Sequence, residues 1–302
     1  MVVALIAGIV IFAVSRGSGS GPKADDVAVG YLQALAAGDA DKALSYGSAT
    51  PDRTFLTSDI LKKQQAIAKI TAVNVVGSES RGSEARVNMS YNFGSQAVTD
   101  YYALTKIKGK WKLQSTTASA NVSSGRSIPG LTLFGTKVAS DTVTTFPGPL
   151  QWGSSDPNYE VKPLGSADRF ATSPGDSNFT SLQYQLSQAG TKTLSDAFTA
   201  KIAECLKIKT ASAPGCPQRS FAFSAVPNSF VWKLAGTGTD GITYRSSYSD
   251  PKKIDLSGLL RFTVTYQSRN FDNKIESKTD DVTSFVSGSA TLEGDTATIT
   301  LN

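Results

Sequence analysis

Twenty-five carboxylates, two cysteines and an abundance of Ser and Thr are the side chains that could do chemistry here, because the 302 residues include no histidine. Histidine is the usual general base near neutral pH and the commonest transition-metal ligand. Ser-His-Asp triads, Cys-His pairs and His-based zinc or iron centres are therefore excluded. Carboxylate chemistry, a lysine base, or no catalysis at all remain.

A carboxylate mechanism needs two acids converging in a dry cleft. The adjacent pairs in this chain are Asp25/Asp26 and Asp280/Asp281. Neighbours in a helix or strand project in different directions, so both pairs read as solvated surface. There is no Gly-x-Ser-x-Gly elbow and no helical Ser-x-x-Lys with supporting motifs. The run Gly236-Thr237-Gly238-Thr239-Asp240-Gly241 is glycine-rich, but it leads from one strand pattern into another at Ile242. A phosphate cradle wants a helix N-terminus there, so a hairpin loop is expected, as it is at Gly294-Asp295. The expectation is a chain with no catalytic residue, no metal and no cofactor.

The cysteines carry a different kind of chemistry. Cys205 ends a helical pattern, and Cys216 follows after a segment that includes Pro214-Gly215. An even count with a turn between the two suits a disulfide-closed loop, which contributes about 2–3 kcal/mol by constraining the unfolded chain. Two unrelated buried thiols are the alternative. Two soft ligands alone do not make a zinc site.

The elements that would position these residues follow from periodicity. Between Ala24 and Leu44, Val27, Tyr31 and Leu35 recur every four residues, Ala28 and Leu32 widen the stripe, and Asp25 and Asp26 favour the helix N-terminus. Gly38 closes that helix, and a short second one runs from Asp39 to Tyr46. A third is expected from Ser58 to Lys69. From Thr71 the period becomes two: Ala85, Val87, Met89, Tyr91 and Phe93 alternate with polar residues. Val98–Ile107 and Lys110–Thr116 should pair across Lys108-Gly109.

The run from Val29 to Leu44, followed by strands ending in Gly109-Lys110-Trp111-Lys112-Leu113, resembles the nuclear-transport-factor-2-like, or SnoaL-like, cone family found in many membrane-anchored bacterial envelope proteins. The resemblance covers Ala24 to about Thr117 and implies helices packed into the concave face of a bent sheet. Enzymatic members commonly place an Asp/His pair in the cone, and this chain has no histidine to offer. The resemblance therefore implies fold more than function. If a ligand binds, the expected place is the concavity lined by Tyr31, Tyr91, Phe93, Tyr102 and Trp111.

Residues 118–164 read as a small β module with Leu131, Leu133, Val138 and Val143 in short strands. Its Phe146-Pro147-Gly148 turn, with Leu150 and Trp152, is similar to small repeat modules of envelope-stress and glycopeptide-resistance membrane proteins. Residues 165–190, with Ser, Pro, Gly and Asp, read as a linker or long loop. Residues 191–302 form a C-terminal α+β domain. There Leu194, Phe198, Ile202 and Cys205 share a helix face, and Phe221/Phe223, Phe230/Trp232/Leu234, Phe262/Val264/Tyr266 and Ala297/Ile299/Leu301 supply strands. Whether it is a second cone-like domain stays open.

Residues 1–14 are uncharged and apolar, ahead of a Gly/Ser linker over 15–23. A spanning helix takes about 20 apolar residues. A signal h-region, a buried helix and a transmembrane helix starting upstream of Met1 are the three readings. The spacer-like linker favours the last, and the first and last both place the rest of the chain outside the cytoplasm. The 30 basic and 25 acidic residues are interspersed, with no basic patch, so nucleic acid is not an expected partner. The fold class expected is α+β, with an N-terminal transmembrane helix, a cone-like domain, a small β module and a C-terminal domain rich in antiparallel strands. The function expected is that of a non-catalytic, single-pass, extracytoplasmic accessory or sensor protein of an actinobacterial envelope. Its partners would be the membrane, through the N-terminal helix, and an envelope protein. A structural subunit of a membrane complex and an enzyme using a carboxylate in the cone are the alternatives.

Overall fold

A computed structural model of the chain describes residues 21–122, 128–165, 170–171, 173–247, 250 and 252–302. The apolar N-terminal segment lies outside the described residues. Among those described, no helix is long and apolar enough to cross a membrane. The chain divides into two compact units. The first comprises the described residues through Asp52, Leu56–Thr117 and Ser173–Gly175; the second comprises Arg53–Phe55, Ala118–Thr172 and Asp176–Asn302.

In the first unit, α1 (Ala24–Ala36) buries Val27, Ala28, Tyr31, Leu32 and Leu35, the stripe set by the four-residue spacing. Asp39 caps α2 (Ala40–Ser45) by accepting the Lys42 N–H at 3.0 Å, and Thr57 caps α3 (Ser58–Ile67) through the Ile60 N–H at 3.3 Å. Strands β1 (Ile70–Arg81), β2 (Glu84–Phe93), β3 (Gln96–Ile107) and β4 (Lys110–Leu113) form an antiparallel meander in that order. Ala85, Val87, Met89, Tyr91 and Phe93 all point into the core from β2. Register shifts between Thr71 and Asn74 and between Val75 and Gly77 mark bulges in β1, which bend a sheet and increase its twist. Ile107 pairs with Lys110 across Lys108 and Gly109, both at positive φ (49° and 78°), as a two-residue hairpin turn requires.

The second unit opens with short strands: β5 (Ala118–Asn121), β6 (Leu131–Leu133), β7 (Thr136–Lys137), β8 (Thr142–Thr145), β9 (Gly148–Pro149), β10 (Trp152–Ser154) and β11 (Tyr159–Pro163). Next come β12 (Phe170–Ala171), β13 (Ser177–Phe179) and β14 (Leu182–Leu186). Residues 165–190 are thus not a linker. The strand β13 pairs in parallel with β5, and β14 pairs antiparallel with β11. Strands of three to five residues are too short to show an alternation, and their partners lie far off in sequence. These pairings tie the expected β module to residues 177–186, while Tyr159 joins the core cluster of α4 and the C-terminal strands and Asn158 Nδ2 donates to the Gly294 carbonyl at 2.7 Å, so module and C-terminal residues form one unit rather than separate domains.

Helix α4 (Gln188–Cys205) starts three residues ahead of the expected domain boundary, capped by Ser187 through the Gly190 N–H at 3.0 Å. It buries Leu194, Phe198, Ile202 and Cys205 against a five-stranded sheet of β15 (Val231–Ala235), β16 (Ile242–Ser246), β17 (Lys253–Arg269), β18 (Ile275–Glu293) and β19 (Thr296–Leu301). A Cβ at Gly190 would stand 2.4 Å from the Asn158 carbonyl oxygen, so only glycine allows that approach. Three helices precede the sheet in the first unit; here one does.

Two further expectations change. The glycine-rich Gly236–Gly241 segment is not a hairpin loop, because Ala235 pairs with Arg261 and Ile242 with Gly258 of the same strand, β17. The segment is an excursion within one edge of the sheet. Phe221 and Phe223 form no strand and are 75% and 99% exposed. The Gly294-Asp295 turn falls where expected, joining Glu293 to Thr296.

Candidate functional site

Between α1 and the sheet, the first unit brings four of the five expected cavity residues together. Tyr31 comes from α1, Tyr91 and Phe93 from β2, and Tyr102 from β3, and none is more than 2% exposed. Ring centroids are 6.1 Å apart for Tyr31–Tyr102, 6.4 Å for Tyr91–Tyr102 and 5.4 Å for Tyr91–Phe93. The Tyr102 hydroxyl donates to that of Tyr91 at 3.1 Å, and Tyr31 donates to the Thr116 carbonyl at 2.7 Å. As described, these rings fill one another's space and satisfy their hydroxyls, so they form core rather than the wall of an open cavity. Trp111 is not among them. It lies half-buried near the start of β4, opposite Lys106, whose ammonium sits 4.7 Å from its ring centroid.

Burial, followed by the neighbouring phenols, holds the Tyr31 and Tyr102 hydroxyls well above the ordinary value of 10.0. Below pH 10 both folded and unfolded phenols keep their protons. From pH 10 up to the raised folded values the unfolded chain loses protons first, so stability falls by up to about 1.4 kcal/mol per pH unit for each phenol. The first unit is therefore expected to lose urea resistance between about pH 10 and 11, and Tyr31→Phe with Tyr102→Phe should flatten that loss. An equal loss in the double variant would contradict the assignment.

Carboxylate pairs do not assemble a site. No described Asp or Glu is buried, and no three potential ligands among the described residues lie close enough to hold a metal ion. Asp280 accepts from the Tyr266 hydroxyl and Asp281 from Thr263 Oγ1, each at 2.8 Å, on opposite faces of β18. The cysteines do come together. Cys205 and Cys216 form a disulfide with Cα atoms 5.5 Å apart. Gln218 Nε2 donates to the Cys205 carbonyl at 2.5 Å, and the Ser220 N–H to the Ala211 carbonyl at 2.9 Å, so the loop beyond the bridge is fixed to the end of α4.

One cleft of the second unit was not foreseen. A space of ≈ 620 Å³ lies between the Cys216–Ala222 loop, with Arg219 and Phe221, and the Asp280–Phe285 stretch of β18. Sequence offered the residue types, but the alternation of Phe221 and Phe223 pointed to a strand and the two acids to plain surface. Nothing local says that a loop and a strand edge meet there.

No family model matches the chain, and no curated protein matches it. Among solved structures, a Campylobacter jejuni protein described as an NTF2-like transpeptidase is 18% identical, the match covering 30% of this chain and 94% of that one with a TM-score of 0.25. A similarity at that score carries no argument. On its own geometry the chain is an α+β protein built mainly of antiparallel sheet.

Proposed function

We propose that this chain is a non-catalytic extracytoplasmic protein, tethered by an N-terminal helix to the membrane of a Gram-positive, actinobacterial envelope. It works there as an accessory or sensor protein that binds another envelope protein. The observation that carries this reading is the Cys205–Cys216 bridge, because structural disulfides persist in oxidising compartments and are rare in the cytosol. The absence of histidine supports the non-catalytic half, as does a concave face filled by neutral phenols where a carboxylate enzyme would keep an acid. The first unit is read as an NTF2-like, SnoaL-like cone, on its three helices followed by a bulged four-stranded meander.

A second reading, a subunit of a larger membrane complex, draws on Phe179, Phe223 and Phe271, which are 79%, 99% and 111% exposed. Rings that open to water commonly mark surfaces that meet a partner. Proteolysis of the chain on intact protoplasts tests the placement on which both readings rest, and digestion is expected.

A further inference from the structure

Strand β18 is paired along nearly its whole length on one side and along only its C-terminal part on the other. Its partner β17 covers every residue from Ile275 to Thr291 in unbroken register, whereas β19 reaches only from Gly288 to Glu293. The last bond on the β19 side runs from the Asn302 N–H to the Ser287 carbonyl at 3.0 Å. From Ile275 to Val286, no strand among the described residues occupies that side.

The direction of the open groups follows from the ladder. Ser287 presents its carbonyl to the β19 side, and backbone direction alternates along a strand with no register shift. Ser277, Thr279, Asp281, Thr283 and Phe285 therefore direct their N–H and C=O groups outward. Natural edges are blunted by proline, bulges, short length or charged side chains. This one is long, has no bulge against β17 and contains no proline; charge is its only such device, at Glu276, Lys278, Asp280 and Asp281. The cleft described above runs along it, its far wall the loop fixed by the disulfide.

We infer that this edge binds an extended peptide segment of a partner protein, which adds to the sheet as a strand. The inference rests on the proposed role in binding an envelope protein and names the mode of recognition. Backbone pairing would give affinity, and alternate side chains would give selectivity. Asp281 and Phe285 share the outer face of β18, about 13 Å apart at 3.3 Å per residue. Phe285 is 68% exposed beside its cross-strand neighbour Leu259, and neither Asp280 nor Asp281 has an ion-pair partner among the described residues. The complement is a strand with a basic and an apolar residue four positions apart on one face. A second copy of β18 would set acid against acid when centred on Asp281 but Lys278 against Asp280 when centred on Thr279, so pairing of two copies is the competing outcome of the test.

The probes are acetylated octapeptides of alternating Thr and Val, with Lys, Glu or Thr at one position and Leu or Thr four positions away. Each is titrated against the full chain purified in detergent, with amide exchange read by NMR. The Lys/Leu peptide should slow exchange at Ser277, Thr279, Asp281, Thr283 and Phe285 and leave the intervening amides, already bonded to β17, unchanged. Thr283→Pro removes one outward donor without touching the β17 ladder, and should weaken binding about tenfold with urea unfolding unaltered. Asp281→Lys should shift preference to the Glu/Leu peptide. Binding indifferent to both variants, no protection by any peptide, or a β18-dependent dimer in sedimentation would overturn the inference. None of these outcomes depends on which side of the membrane the chain occupies, so they separate failure of the site from failure of the functional reading.

Discussion

Phe198→Ala should lower the stability of the second unit by about 3–5 kcal/mol, the range for emptying a fully buried phenylalanine site. Phe198 is 0% exposed and sits midway along the apolar stripe of α4, four residues from Leu194 and from Ile202. Its cluster includes Trp232, Leu256, Phe262, Val264 and Leu301 from three strands of the sheet, β15, β17 and β19. Removing the ring leaves a void that these neighbours, held in the paired strands of the sheet, fill only in part. Domains are stable by about 5–15 kcal/mol, so the loss takes a fifth or more of what is available. Urea unfolding followed by Trp232 fluorescence should show it, while the exposed neighbour Thr199→Ala should move the midpoint within about 0.5 kcal/mol. A Phe198→Ala cost under about 1 kcal/mol would mean that α4 does not pack on the sheet as described.

Removing the disulfide should have the next largest effect. Cys205→Ala with Cys216→Ala is expected to cost the second unit about 2–3 kcal/mol, since the bridge closes a loop of sequence separation 11 and restricts the unfolded chain by about that much. Reduction of the wild-type bridge should give a loss of the same size. The first unit contains no cysteine and is the internal control, reported by Trp111. Two free thiols in the natively purified, denatured protein, detected by alkylation, would refute the bridge and remove the main support for an oxidising compartment.

What could be read from sequence was what local spacing determines. The four-residue recurrence of Leu194, Phe198 and Ile202 specifies the buried face of α4, and the two-residue alternation from Ala85 to Phe93 specifies the core side of β2. Lys108-Gly109 and Gly294-Asp295 are turns because the flanking strands leave two residues between them. What escaped depends on partners distant in sequence. The parallel pairing of Ser177–Phe179 with Ser119–Asn121 has no local signature, and the Gly236–Gly241 run looks the same in a hairpin as in an excursion along one edge. The aromatic rings of the first unit were identifiable as a group, but only packing decides whether four rings enclose a space or fill it. The open edge of β18 is a property of how far β19 extends, and no residue of β18 announces it.

The central claim concerns the side of the membrane on which the folded units sit, and proteolysis on intact protoplasts tests it most directly. Protease is added to intact protoplasts and, in parallel, to detergent-lysed ones, with a cytoplasmic protein followed as the control for integrity. The account predicts that everything beyond the linker at residues 15–23 is degraded in intact protoplasts while the cytoplasmic control survives. Full protection of the chain until detergent is added would contradict it.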